Sequence, residues 1–207
     1  MDKRISIVTL VVAGALAATV GAVGDRFTSL KKQMSEAACC RFEFLSIVES
    51  DVFDATDTTV GSALIGRDGR YRIEIGPDTY LNDGRYLYSY SRPNNQVTVE
   101  LANPDAIPTE EISFVTRLDE FYATRKLVKD SLYRLTLLDS SYTNLPDSMD
   151  VLLTVVSGAA RLRSLGYRDI NDDKNDVVFT GQFFSPSCDE GAFEAHFPDS
   201  VEIIKLY

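Results

Sequence analysis

Asp169, Asn171, Asp173 and Asn175 stand at alternate positions, the spacing with which a calcium-binding loop begins. Such a loop turns on a glycine at its sixth place and closes with a bidentate glutamate at its twelfth, and here those places hold Lys174 and Thr180. The pattern fails where an ion is held most strongly, so the segment reads as a solvated hairpin turn. The one histidine, His196, lies in Phe193-Glu194-Ala195-His196-Phe197, where alternation groups it with Glu194 and opposite the apolar residues. No Gly-x-Ser-x-Gly precedes it and no cysteine is near it in sequence, so it reads as a surface histidine and the chain as non-enzymatic. The three cysteines, Cys39, Cys40 and Cys188, show no Cys-x-x-Cys or Cys-x-His spacing, so neither a metal site nor another cofactor is expected.

Charge and the N-terminus set the compartment. The chain has 207 residues, 44% of them hydrophobic, enough for one substantial domain. Its 31 acidic residues against 21 basic ones give a formal charge of −10, which excludes the basic footprint a nucleic-acid binder needs. Asp2, Lys3 and Arg4 precede an uncharged run from Ile5 to Gly24 that thins into Ala22-Val23-Gly24. This is the pattern of a secretory signal peptide over residues 1–24, with an uncleaved anchor helix as the other possibility. Cleavage leaves a mature domain of residues 25–207 carrying 19 basic and 30 acidic residues, a charge of −11. The first cysteine, Cys39, comes only after charged Asp25, Arg26, Lys31, Lys32 and Glu36, so Ala37-Ala38-Cys39 is not a lipidation site and a soluble periplasmic protein is expected. In that oxidising compartment, either Cys39 or Cys40 is expected to bridge to Cys188, the alternative being three buried small hydrophobes.

The elements follow from periodicity. Phe27, Leu30, Met34, Ala37 and Ala38 recur at helical spacing and predict an amphipathic helix from Phe27 to about Ala38. Period two then takes over at Phe42, Phe44 and Ile47 and in the segments 60–65, 70–75, 86–90 and 96–101. Arg67-Asp68-Gly69, Pro77-Asp78, Asn82-Asp83-Gly84 and Arg92-Pro93-Asn94-Asn95 supply the reversals. Pro108-Thr109-Glu110-Glu111 opens a second helix whose Ile112, Val115 and Leu118 share a face. Strands are expected again at 122–128, 132–138, 151–157, 160–169, 177–184, 192–197 and 201–206. About eleven or twelve strands with short connections imply an antiparallel meander that curls into a full or partial barrel. Tyr71, Tyr86, Tyr88 and Tyr90, with Phe42, Phe44, Phe179, Phe183 and Phe193, either fill its core or line a cavity for an apolar ligand roofed by the helices. Composition alone favours the core.

Three consecutive segments carry a family likeness: Gly66-Arg67-Asp68-Gly69-Arg70-Tyr71-Arg72-Ile73, then Asn82-Asp83-Gly84-Arg85-Tyr86-Leu87-Tyr88-Ser89-Tyr90, then Asn95-Gln96-Val97-Thr98-Val99. With the closing Phe193-Glu194-Ala195-His196-Phe197-Pro198-Asp199-Ser200-Val201, this series resembles the outer-membrane lipoprotein carrier (LolA) family over nearly the whole chain. The resemblance implies an unclosed antiparallel barrel with a helical lid over a hydrophobic cavity. It further implies a carrier that takes triacylated lipoproteins from the inner-membrane Lol ABC transporter to a LolB-like outer-membrane receptor. By the same resemblance Arg67 corresponds to the family's gating arginine, Tyr71 and Ile73 to cavity wall, and Leu30, Ile112 and Val115 to lid. Phe42, Phe44 and Tyr88 complete the expected acyl-chain cavity. The chain departs from the pattern in Asp68, which replaces a proline and is placed to pair with Arg67, in Ser200, which replaces a glycine, and in its cysteines.

Physics asks the same of such a carrier. An acyl chain of about 15 methylenes at ~0.8 kcal/mol each gains roughly 12 kcal/mol on leaving water, so apolar surface must be supplied. Release requires that the empty state be stabilised by something that competes with cargo, and an arginine bonded to lid carbonyls would add ~1.5 to 3 kcal/mol. A monomer is expected. A lipid-sensing half-barrel that regulates a partner protein is the alternative from another class, and a membrane-anchored acceptor is disfavoured by the missing lipidation site.

Overall fold

The computed structural model describes residues 25–102, 113–128, 131–142, 145–169 and 171–207. Helix α1 (Arg26–Glu36) opens the chain, followed by β1 (Cys39–Ser50), β2 (Ala55–Gly66), β3 (Tyr71–Ile75), β4 (Asp78–Asn82), β5 (Tyr86–Ser91) and β6 (Gln96–Leu101). A 3-10 turn at Ser113–Arg117 runs into the single-turn α2 (Leu118–Phe121). Then come β7 (Tyr122–Val128), β8 (Leu132–Leu137), β9 (Ser148–Val156), β10 (Ala159–Arg168), β11 (Lys174–Ser185), a 3-10 turn at Glu190–Phe193 and β12 (Glu202–Lys205).

All twelve strands belong to one sheet, in the order β12-β6-β5-β4-β3-β2-β1-β11-β10-β9-β8-β7. Two meanders, β1 to β6 and β7 to β11, are joined where β1 pairs antiparallel with β11 from Cys39↔Ser185 to Glu49↔Lys174. The sheet ends at β12 and β7, so the barrel is unclosed, and α1 covers its concave face. From Cys40 to Ser46 of β1 burial alternates: Phe42 and Phe44 are buried while Arg41 and Glu43 are exposed. Opposite Phe44 the neighbouring strand carries Gly61, where a Cβ would stand 2.4 Å from the phenyl ring. The glycine gives the ring its place.

The reversal expected at Pro77-Asp78 is present as a two-residue turn at Gly76-Pro77, where Gly76 takes a positive φ of 55°, and it leads into an additional strand, β4, which pairs with both β3 and β5. Two expectations are corrected. The segment 192–197 alternates like a strand but starts in a 3-10 turn and continues as extended chain outside the sheet. The last strand, β12, runs parallel to β6, from Glu202↔Gln96 to Lys205↔Val99, so the meander is not antiparallel throughout. A parallel neighbour needs a crossover, and residues 186–201 supply it. Of the second helix, the stretch up to Ile112 lies outside the described residues, and the remainder is the 3-10 turn and α2.

Candidate functional site

The described structure brings six of the expected cavity and lid residues together. Leu30, Phe42, Phe44, Tyr71, Ile73 and Val115 all lie in one buried apolar cluster, together with Met34, Ile65 and Phe179. Leu30 and Phe27 descend from α1, Phe42 and Phe44 rise from β1, and Tyr71 and Ile73 from β3. The helix is amphipathic because Phe27, Leu30 and Met34 recur at three and four residues, and these are its buried positions. Phe27 stacks on Tyr133 of β8 with ring centroids 4.9 Å apart, and Lys31 pairs with Asp119 of α2. The described cavity positions are therefore filled by one another, as in a closed lid. Ile112 lies outside the described residues.

Arg67 holds the last carbonyls of the roof helix. The β2–β3 hairpin turns at Gly66-Arg67-Asp68-Gly69, where Gly69 adopts a φ of +87° that other residues rarely tolerate. Arg67 Nε donates to the Ala37 carbonyl at 3.0 Å, and Nη2 donates to the Glu36 carbonyl. The Arg67 amide also donates to the Ala38 carbonyl at 3.0 Å. The last carbonyls of a helix have no partner within it and carry partial negative charge, so a guanidinium there satisfies both needs. Asp68 does not pair with Arg67 as expected. Its carboxylate accepts from Arg70, at 3.1 Å from the amide and 2.7 Å from Nε. Arg70 also reaches Glu190 at 2.7 Å, so its charge is held from two sides and Arg67 is left to the helix.

Beneath the same end of α1 lies Cys40, a free and buried thiol whose Sγ is 3.6 Å from the Met34 carbonyl. Burial pushes its pKa up from 9.0 to about 11, and the nearby Arg67 charge pulls the other way. The disulfide is Cys39–Cys188, with Cα atoms 5.3 Å apart, which resolves the choice between the two adjacent cysteines. Alternation explains it: Cys40 faces the lid with Phe42, and Cys39 faces the other side with Leu81 and Phe193.

Tyr88 is on that other side, and its assignment to the cavity is corrected. It packs with Cys39, Leu81 and Phe193, while its strand neighbour Leu87 packs against the concave cluster. The segment 186–201 crosses this convex face as a strap. Arg72 donates to the Ala192 carbonyl at 2.9 Å and the Glu194 carbonyl at 2.7 Å, and Phe197 lies 5.7 Å from Tyr88 and 5.4 Å from Tyr90 between ring centroids. The Tyr88 hydroxyl donates to Asp83 at 2.9 Å; burial first, then that carboxylate, push its pKa up to about 12.

The remaining polar motifs hold their own loops. His196 is exposed, 3.3 Å from the Glu194 carboxylate. Asp169 accepts from the amides of Asn171 at 2.8 Å and Asp173 at 3.1 Å, an Asx-type turn between β10 and β11. Among the described residues no cluster of three or more His, Cys, Asp or Glu has the geometry of a metal site, and no helix is long and apolar enough to cross a membrane. Sequence reasoning passed over Arg161 and Gln182, which lie by the C-terminal end of α1. Gln182 interrupts the apolar run of β11 next to Gly181, and that interruption was the available signal.

Comparison with solved structures places the fold among known ones. The chain is similar to an uncharacterised conserved protein of Thermus thermophilus, at 8% identity over 86% of this chain and 96% of that one, with a TM-score of 0.50. It is likewise similar to a DUF1329 family protein of Desulfovibrio piger, at 8% identity over 80% and 93%, with a TM-score of 0.52. The neighbours also include a LolA superfamily protein of Nitrosomonas europaea, at 11% identity over 81% and 97%, with a TM-score of 0.49. At 8% identity, the likenesses with TM-scores of 0.50 and 0.52 are of fold alone. No family model and no curated protein sequence matches the chain.

Proposed function

We propose that the chain is a LolA-like, non-enzymatic carrier of acylated lipoproteins. In this reading residues 1–24 direct it to the periplasm and are removed, and residues 25–207 form the carrier domain. The supporting observation is how the roof is held: an amphipathic helix covers a continuous apolar face, and Arg67 of the β2–β3 turn donates to the carbonyls at its C-terminal end. Cargo acyl chains occupy the space now filled by α1 side chains, against Phe42, Phe44, Tyr71 and Ile73. Arg67 is the latch of the empty state. Its two carbonyl bonds are lost when the helix moves, which offsets part of the ~12 kcal/mol gained by burying an acyl chain and leaves binding reversible. An inner-membrane Lol ABC transporter and a LolB-like receptor are the partners such a carrier needs.

The test is native mass spectrometry of residues 25–207 recovered gently from a periplasmic extract, with bound species released and identified. Triacylated lipoprotein or lipopeptide in the complex is the expected result. An empty protein that also fails to take up acylated peptide would overturn the reading and leave the apolar face as a core only.

A further inference from the structure

The wall of the barrel has a seam. β10 and β11 pair only from Ser164↔Val178 to Arg168↔Lys174. Past that point β11 continues along β1 to Ser185, and β10 continues along β9 to Ala159. A bulge on each strand marks the parting: Thr180 is the extra residue of β11 and Arg163 that of β10. In place of a backbone ladder, one side chain closes the gap. Gln182 accepts from the Leu162 amide at 2.9 Å and donates to the Leu162 carbonyl at 2.6 Å.

On this seam lies a solvent-open cleft of about 540 Å³, bounded by Gln33, Glu36 and Ala37 of the lid end and by Arg161, Gln182 and Phe184 of the sheet. That volume falls within the ~300–1,000 Å³ of small-molecule sites. Arg161 donates to Gln33 Oε1 at 3.0 Å and lies 5.1 Å from the Phe184 ring centroid. Phe184 in turn is edge-on to Phe42 at 6.1 Å, so the wall of the cleft packs directly on the apolar cluster beneath the lid. Glu36 and Ala37 are also the residues whose carbonyls Arg67 holds, so the cleft adjoins the latch.

We propose that this seam is the side entrance for the ligand, a long acyl chain with an oxygen-rich head. The chain passes between the end of α1 and β11, displacing Gln182 from Leu162. Arg161 stays at the rim and donates to carboxylate, phosphate or ester oxygens of the head. The proposal rests on the acyl-carrier reading and adds its route and its head-group contact.

The protein has no tryptophan, so Phe183→Trp, at an exposed position bounding the cleft, and Phe53→Trp, on the exposed tip of the β1–β2 hairpin, each give a single reporter. Stopped-flow quenching by 9,10-dibromostearate should appear at the first reporter and not at the second. In the Phe183→Trp protein, Gln182→Ala should speed association about tenfold, the barrier losing the two Gln182–Leu162 hydrogen bonds at ~0.7 kcal/mol each, ~1.4 kcal/mol together. Arg161→Gln should weaken affinity about tenfold on the same arithmetic. Arg161→Lys, which keeps charge and tolerates loss of a bond, should recover part of it and shows that folding is intact. Displacement of the probe by a dipalmitoylglyceryl peptide or by lysophosphatidylglycerol supports the site and distinguishes a lipoprotein from a phospholipid source. Equal quenching at both reporters, or rates unaffected by Gln182→Ala and Arg161→Gln, would overturn the entrance while leaving the carrier reading in place. No quenching and no uptake of any acyl probe would overturn both.

Discussion

Arg67 Nε and the carbonyl of Ala37, 30 residues apart in sequence, are 3.0 Å apart in space, and through them the β2–β3 hairpin grips the end of α1. The contact is partly buried, where a charge-assisted bond contributes ~1.5 to 3 kcal/mol and a shift of 1.4 kcal/mol changes an equilibrium tenfold. Arg67→Leu should therefore raise the open-lid population by about ten- to a hundredfold. Labelling of Cys40, which lies under that end of the helix, measures it: the variant should react faster by that factor at pH 8. In lipoprotein transfer assays it should retain cargo. Labelling and transfer equal to wild type would mean that Arg67 is an ordinary turn arginine.

Cys40 also links stability to pH. Below pH 9.0 the thiol is protonated in folded and unfolded chains alike and adds no pH dependence. As pH rises from 9.0 to about 11 the unfolded chain loses its proton first, so the stabilisation present below this window is lost across it. Two pK units correspond to about 2–3 kcal/mol. Urea unfolding of wild type and Cys40→Ala should show an advantage of wild type at pH 8 that shrinks by this amount near pH 11. Tyr88, with its pKa near 12, and Tyr122, pushed higher still by burial, titrate in both proteins and cancel in the comparison.

How far the sequence could be read depended on contrast between inside and outside. The lid helix and β1 were legible because Phe27, Leu30 and Met34 alternate with charged Lys31 and Lys32, and Phe42 and Phe44 with Arg41 and Glu43. Tyr86, Tyr88 and Tyr90 alternate onto one face of β5, but Tyr88, expected in the cavity, faces away from it, while Tyr71, of the same aromatic group, lies in the concave cluster. Alternation gives relative and not absolute facing, and here both faces of the sheet are covered, one by α1 and the other by the strap. The strap itself alternates like a strand, yet its carbonyls at Ala192 and Glu194 are satisfied by the Arg72 side chain, a long-range partner that no local pattern announces. Arg67 was found through resemblance, since a lone arginine in a glycine turn has no signature of its own.

Gly61 should be among the least replaceable small residues. Its backbone lies against the Phe44 ring, and a Cβ there would meet ring carbons at 2.4 Å, so Gly61→Ala must push the ring into neighbours such as Phe179, 6.5 Å away between centroids. Overpacking of this kind costs about 1–3 kcal/mol. Adding Phe44→Leu should restore part of the loss in urea unfolding, because the shorter side chain frees the space. Equal losses for the single and double variants would mean that the strand backbone absorbs the methyl group.

The Cys39–Cys188 bridge spans 149 residues and joins the start of β1 to the start of the strap. A bridge closing so long a loop restricts the unfolded chain strongly, and removing one from a secreted domain costs about 2–5 kcal/mol. Cys39→Ala with Cys188→Ala should lose that much in urea unfolding under oxidising conditions, and reduction of the wild type should bring it to the same level. The strap retains Arg72 and the packing of Phe193 against Leu81, so its far end at β12 should stay in place. Proteolysis should then cut the double variant first between Ser185 and Glu190, ahead of the Arg72 anchor. Cleavage near Ser200 instead would mean that the bridge, and not Arg72 with Phe193, holds the strap on the sheet.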